Sequence, residues 1–331
     1  MSTIRDVAKL AKVSVATVSR VINESGYVNV KTKQKVEEVI EELDYRPNDV
    51  ARSLFKGKSK MIALFVPDIM NPFFPELARA VEDITNKHGY TFILCNTDND
   101  NKKEMAYMNA LLQKSIDGMI LVSNTMTASQ IKDTKVPIIS LDRKTRSDLI
   151  SVTVNNREGA RQAVGYMKEL GCKRIAHIAG PDSASSARSR MEGYLNEVQE
   201  EKWFSNSFIR AGNYSIDEAY KVTKTLLKDN PNIDGIFVAN DLMAVGVLKA
   251  AASLKIKVPD ELSVISFDGI KLGETTSPAL TTMAQPIYHI GKRAAEILLE
   301  KIEKPGTVIQ SEEHQVQLII RESTREKRLK E

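Results

Sequence analysis

The spacing of apolar positions changes character once along this chain, and the change divides it into a helical head and an α/β body. In the opening run TIRDVAKLAKVSVATVSRVIN, Ile4, Val7, Ala8 and Ala11 recur at i, i+3, i+4 and i+7, the buried face of a short helix. After a turn at Lys12 to Ser14, Val18, Val21 and Ile22 continue a second inward face, with Ser14 in the N-cap position. Val36, Val39, Ile40 and Leu43 predict a third amphipathic helix, starting near Thr32 and stopping before Pro47. Three such helices share one small core. The next stretch, PNDVARSLFKGKSK, offers Asn48 as a cap for barely two turns containing Val50, Ala51 and Leu54. Isolated helices below roughly 12 residues are marginal in water, so this one forms only when a partner supplies packing.

From Met61 onward the pattern becomes short apolar runs alternating with helical ones. MIALFV, TFILC, GMILV, VPIISL, RIAHIA, GIFVA and LSVISF are continuous rather than alternating, as parallel strands covered on both faces require. Between them lie helical patterns at 76–88, 103–114, 157–170, 189–199, 217–227, 242–254 and 287–300. The order predicts a doubly wound α/β body, and its length predicts two subdomains with a cleft between them.

Composition changes this picture little: 42% hydrophobic and 27% charged residues in 331 is ordinary for a globular protein, and no run approaches the length of a membrane span. With no signal-like apolar segment at the N-terminus, the cytoplasm is the expected compartment. Cys95 and Cys172 sit in or beside apolar runs and read as buried thiols. Charge is more telling. Residues 1–60 hold 12 Lys+Arg and 8 Asp+Glu, whereas residues 61–331 hold 35 of each, so the formal charge of +4 lies entirely in the head. A basic head on a neutral body fits a module that meets phosphates.

The outward side of the second helix carries Val15, Ala16, Ser19 and Arg20, small groups and one guanidinium of a kind that reads a major groove, although a plain helical hairpin has the same period. Lys31, Lys33 and Lys35 suit either phosphate contact or solvated surface. Leu54, flanked by Arg52, Lys56 and Lys58, is either a wedge for a minor-groove base step or a linker leucine resting on the next domain.

In doubly wound sheets, ligands bind beyond the carboxyl ends of strands. There the chain places Asn71, Phe73 and Phe74; Asp142 and Arg143; Arg188; Tyr214; Asn240 and Asp241; Asp268; and Gln285. Aromatic rings cover the faces of a sugar while amides, carboxylates and guanidinium groups pair with its hydroxyls, so the set suits a small neutral polyol. Singly, each residue has an ordinary structural use as a cap, an ion pair or core. Evidence for catalysis is poor: no G-x-G-x-x-G opens a helix, no G-x-S-x-G marks a nucleophile, Arg52 stands where a phosphate loop ending at Gly57-Lys58-Ser59 needs glycine, and His88, His177, His289 and His314 show no metal-ligand spacing. Neither an enzyme nor a cofactor is expected.

Taken together, TIRDVAKLAKVSVATVSRVIN, YRPNDVARSL, SFDG and SPALTTMAQP resemble the LacI/GalR family of bacterial repressors over nearly the whole chain. The resemblance implies an all-α helix-turn-helix head (1–46), a hinge helix and linker (47–60), and a periplasmic-binding-protein-like type I core of two doubly wound subdomains that binds effector and dimerises (61–331). It implies Val15, Ala16 and Arg20 at base edges, Thr17 and Ser19 nearer phosphates, and Thr3, Ser14 and Asn23 completing the head's DNA set. Leu54, with Ala51 beside it, takes the place of the family's intercalating hinge leucine. The tail STREKRLKE lacks leucine heptads, so the resemblance implies a homodimer on a near-palindromic operator. Within the family, the body is most similar to ribose-responsive members: Asn71, Phe73 and Phe74, Asp142 and Arg143, Arg188, Asn240, Asp268 and Gln285 match the effector set, whereas Tyr214 replaces a phenylalanine or other aromatic. D-ribose or a similar pentose is the implied effector, releasing the repressor from DNA. A purine corepressor or a phosphocarrier protein partner are alternatives within the family, and a sugar-transport receptor is an alternative outside it.

Overall fold

Local capping rules delimit the helices of the head. Helix α1 (Ile4–Ala11) begins at Thr3, whose hydroxyl accepts the Asp6 N–H while the Asp6 carboxylate accepts the Thr3 N–H at 2.8 Å, a reciprocal capping box. Lys12 closes it in the left-handed region at φ 56°. Helix α2 (Val15–Asn23) starts as expected at Ser14, whose hydroxyl accepts the Thr17 N–H at 3.1 Å. Helix α3 (Val30–Glu42) begins two residues before Thr32, because the Asn29 side chain accepts the Lys31 N–H and caps it there. Val7, Ala8, Ala11, Val18, Val21, Val36 and Val39 form one buried cluster, with Ile4, Ile22, Ile40 and Leu43 packed against it.

The structure is a computed structural model that describes residues 2–45, 59–122, 125–126, 130–131, 134–142 and 149–326. It comprises two compact units, Met1–Ser59 and Lys60–Glu331. The hinge readings at Ala51 and Leu54 lie outside the described residues, as does Arg143.

Within the second unit, strands β1 (Met61–Val66), β2 (Thr91–Asn96), β3 (Gly118–Leu121), β4 (Ile138–Leu141) and β5 (Ser151–Val154) form a sheet in the order β5-β4-β3-β1-β2. A second sheet repeats that order with β6 (Ile175–Ala179), β7 (Ile209–Ala211), β8 (Gly235–Val238), β9 (Ser263–Asp268) and β10 (Thr281–Ala284), arranged β10-β9-β8-β6-β7. Every pair among these ten strands is parallel. Two edge strands complete the sheets: β11 (Glu312–His314) joins β5 in parallel, and β12 (Gln317–Ile319) joins β10 antiparallel. The seven apolar runs leave out β5, β7, β10, β11 and β12, which are three or four residues long and each carry polar side chains, too short to show a period.

The chain crosses between the subdomains three times. After β5 it enters α6 (Asn156–Glu169), which packs on α7 (Ser185–Val198) and the second sheet. After β10 it enters α10 (Ile287–Glu303), which returns to pack on α4 (Phe73–Lys87) and the first sheet, and the link from β11 to β12 is the third crossing. Two sheets with their carboxyl ends joined by these crossings bring their strand-end loops together, and that is where the polar candidates lie. The remaining helices, α5 (Asn101–Gln113), α8 (Ile216–Asp229) and α9 (Asp241–Ser253), cover the outer faces.

Candidate functional site

On α2, Val15, Ala16 and Arg20 are exposed, while Val18 and Val21 of the same helix are buried. An apolar side chain 42% exposed at Val15, beside a guanidinium with no ion pair among the described residues, is an unused contact surface. Ser19 and Asn23 are tied together, the Asn23 Nδ2 donating to the Ser19 carbonyl at 2.8 Å and to its hydroxyl at 3.3 Å. Ser14 and Thr17 likewise share a hydroxyl bond of 2.9 Å at the start of the helix. Thr3 is exposed at the α1 cap. The sequence reading overlooked Tyr27, 90% exposed in the α2–α3 connection beside Gly26 at φ +82°. The glycine signalled the turn, but nothing in the pattern said that the aromatic would be left outside the core.

In the body, a set of strand-end residues converges on one small cavity: Asn71, Phe73, Phe74 and Asp142 from the first subdomain, and Ser186, Arg190, Tyr214, Asn240, Asp268 and Gln285 from the second. The cavity among them is small, about 20 Å³. Phe73 and Phe74 meet edge to face with centroids 5.2 Å apart, presented by the first turn of α4. Asn71 turns that corner, its Oδ1 accepting the Phe73 N–H at 3.1 Å, and Asn240 caps α9 by accepting the Met243 N–H at 2.9 Å. Each amide thus spends its oxygen on the backbone and keeps its nitrogen for a ligand. Gly180 makes room for Tyr214, since a Cβ there would lie 2.6 Å from the tyrosine ring. Asp142, Tyr214 and Asp268 have φ of +65°, +59° and +113°. Strained backbone at three residues of one cleft is the mark of a functional site.

Arg190 organises the charge. It is 3% exposed, its Nη1 lies 3.0 Å from Asp268 Oδ1, its Nε donates to Asn156 Oδ1 at 2.8 Å, Nη1 also donates to the Ala239 carbonyl, and the guanidinium lies 3.8 Å over the Phe267 ring. Gln285 Nε2 donates to the same Asp268 oxygen at 2.7 Å, while Gln285 Oε1 is buried with no hydrogen-bond partner. Burial pushes the Asp268 carboxyl up to about 7, with Asp241 and Asp142 acting in the same direction and Arg190 opposing them. An unsatisfied buried acceptor beside a charged carboxylate is costly, and a ligand hydroxyl would satisfy it.

Two candidates fall elsewhere. Arg188 is exposed and donates to the Asp182 carbonyl. It is two residues from Arg190 on α7, so the two side chains point to opposite sides of the helix, and Ala187, Arg190 and Tyr194 share the buried face. Arg188, Met191 and Leu195 have the same i, i+3, i+7 spacing, so the period alone does not choose between the two arginines. Asp241 is wholly buried, accepting from Ser266, from Thr282 at 2.8 Å and from the Ile270 N–H at 2.7 Å. It ties the ends of β9 and β10 and does not line the cavity. Ser186 was missed because a serine in a helix has no distinctive pattern. Cys95 and Cys172 are both buried free thiols, and burial pushes Cys95 up to about 11. His177, stacked between Tyr194 and Phe237 and held by the Phe237 carbonyl at 3.0 Å, is driven down to about 4 by burial. No cluster of three metal-ligating side chains occurs among the described residues, and no helix among them is long and apolar enough to cross a membrane.

A helix-turn-helix head joined to a two-lobed body whose cleft is lined by amides, carboxylates, a guanidinium and aromatic rings defines a ligand-responsive DNA-binding regulator. Residues 3–48 match the lacI family of bacterial regulatory proteins and residues 164–324 match a periplasmic binding protein-like domain. The ribose operon repressor of Halalkalibacterium halodurans is 46% identical over 325 residues, covering 98% of each chain. Among solved structures, the lac repressor dimer bound to operator and an anti-inducer superposes with a TM-score of 0.88 at 26% identity, covering 98% of this chain and 99% of that one. A LacI family transcriptional regulator from Enterococcus faecium with bound ribose gives 0.73 at 28% identity, covering 80% and 98%. The chain belongs to the LacI family of transcriptional regulators: it is a DNA-binding repressor with a sugar-binding domain and not an enzyme.

Proposed function

We propose that the chain represses a ribose-utilisation operon in the cytoplasm, as a homodimer on a near-palindromic operator, and that D-ribose or a similar pentose in the cleft releases it. The observation that carries this reading is the Asp268 constellation. One buried carboxylate held by Arg190 and Gln285, with the Gln285 oxygen unsatisfied and two phenylalanines opposite, matches vicinal hydroxyls on an apolar-faced ring. The ribose named for the repressor of H. halodurans and for the E. faecium regulator supports the same class of effector.

In this reading Arg20, Val15 and Ala16 meet base edges, with Thr17, Ser19, Ser14, Asn23 and Thr3 about them. Leu54 and Ala51 belong to the hinge, where Leu54 enters a base step. The sugar displaces the contacts that Asp268 makes within the protein and draws groups from both subdomains onto its hydroxyls. A preference of about 1–3 kcal/mol for the low-affinity arrangement gives a useful switch.

Fluorescence titration of labelled operator DNA against the full chain, with and without D-ribose, tests the proposal. Ribose-dependent weakening is expected, and an affinity unchanged or tightened by ribose would sink the induction reading. Leu54→Ala should weaken operator binding with sugar binding intact, whereas Asp268→Asn should leave operator binding and abolish the response to sugar.

A further inference from the structure

Beside the sugar pocket lies a second and larger chamber of about 260 Å³, which shares Asp142 and Ser186 with it and extends to the first turns of α6 and α7. The two helix starts differ. The α6 turn is closed by its own side chain, Asn155 Oδ1 accepting the Glu158 N–H at 3.1 Å. The α7 turn has Ala184 at its cap position and no side-chain cap, and the N–H groups of Ser185, Ser186 and Ala187 meet no acceptor among the described residues.

Two hydroxyls stand in the same position. Ser185 Oγ is buried in the chamber wall without a hydrogen-bond partner. Ser186 is 4% exposed, lines both cavities and makes no hydrogen bond through its side chain among the described residues. Arg157 also borders the chamber, with its guanidinium turned to the Asn196 side chain. Unpaired donors at a helix N-terminus, together with the positive end of its dipole, form an oxyanion cradle. Asp142 and Glu313 line the chamber too, but Asp142 borders the sugar pocket, where hydroxyls donate, and Glu313 is exposed. Acceptors next to the sugar and donors at the α7 turn describe a ligand with hydroxyls at one end and an anion at the other.

We propose that the effector cleft is built for a phosphorylated pentose, its sugar at the Asp268 set and its phosphoryl group on the first turn of α7. The proposal rests on the pentose reading of the cleft and extends it. Charge-assisted hydrogen bonds are roughly twice as strong as neutral ones, so the phosphate ester should bind at least ~10-fold tighter than the free sugar.

Calorimetric titration of the full chain with D-ribose, D-ribose 5-phosphate, D-ribose 1-phosphate and inorganic phosphate tests it, with operator release by each compound measured in parallel. Tighter binding and stronger release by one of the phosphate esters than by ribose is the expected result. Ser185→Asp places a carboxylate where the phosphoryl group would sit, and the helix dipole favours that residue at this turn, so folding is preserved. It should remove the advantage of the ester while leaving the ribose response within about twofold of wild type, and Ser185→Ala should weaken the ester by roughly threefold to tenfold. Release by ribose alone, or equal binding of ester and sugar, overturns the phosphoryl site and leaves the pentose reading standing. Response to none of the pentoses overturns both. An ester preference that survives Ser185→Asp also overturns the proposed seat on α7.

Discussion

The head and the cleft handle polar groups in opposite ways. In the head the groups proposed for recognition are exposed and local: Val15, Ala16 and Arg20 come from six consecutive residues, and the core behind them is aliphatic. In the cleft they are mostly buried and remote in sequence, from Asn71 to Gln285; Asn71 and Asn240 are fixed by nearby backbone N–H groups, and Asp268 is held by Arg190 and Gln285. A surface that reads DNA can be supplied by one helix because the partner does the desolvating. A site that binds a neutral polyol must hold its polar groups dry and oriented in advance, which takes a whole doubly wound body.

If that contrast is right, the largest single effect belongs to the cleft. Arg190→Ala strands the Asp268 carboxylate, Asn156 and the Phe267 ring at once, and breaking one side of a buried ion pair costs about 3–5 kcal/mol. Urea unfolding of the full chain should register that loss, and a change below about 1 kcal/mol would mean that Asp268 is neutral without its partner. Acid should act on the body next. Burial lowers His177 from its ordinary value of 6.5 to about 4, so the unfolded chain takes up a proton that the folded chain refuses. The stabilising contribution is complete above pH 6.5 and declines as pH falls towards 4, by about 3 kcal/mol in total. A His177→Phe variant should flatten that part of the pH–stability curve, and an unchanged slope would contradict the assignment.

Effects in the head should be smaller and of another kind. Arg20→Ala is expected to cost about 1–3 kcal/mol of operator affinity with the fold and the sugar response unaltered. Loss of sugar binding in this variant would break the separation of roles. The smallest effect is Ser14→Ala, which removes the α2 cap and should lower stability by about 1 kcal/mol, seen as a shift in the thermal transition of the head.

Sequence and structure agree wherever a signal is carried within one element. The faces of α1, α2 and α3, seven apolar strands and seven helices of the body among the described residues are in the spacing of apolar residues, because a buried face imposes its period on the chain that makes it. The strand-end rule was enough to gather Asn71, Phe73, Phe74, Asp142, Tyr214, Asn240, Asp268 and Gln285 as candidates. What it lacked was direction. Arg188 and Arg190 are two residues apart in ARSR, and only the packing of α7 turns one to solvent and the other onto Asp268. Asn240 and Asp241 are adjacent, yet one lines the cavity and the other is consumed by Ser266, Thr282 and Ile270.

By itself, then, the sequence determined the helical head, its basic charge, the two-sheet body and the chemical class of the cleft, since each follows from local period, local capping or residue type. The tertiary structure alone decided which guanidinium is buried, that the Gln285 oxygen lacks a partner, and that the unfilled space continues past Ser186 to an uncapped turn of α7. Those are relations between segments up to a hundred residues or more apart, set by three crossings between the sheets, and no period along the chain encodes them.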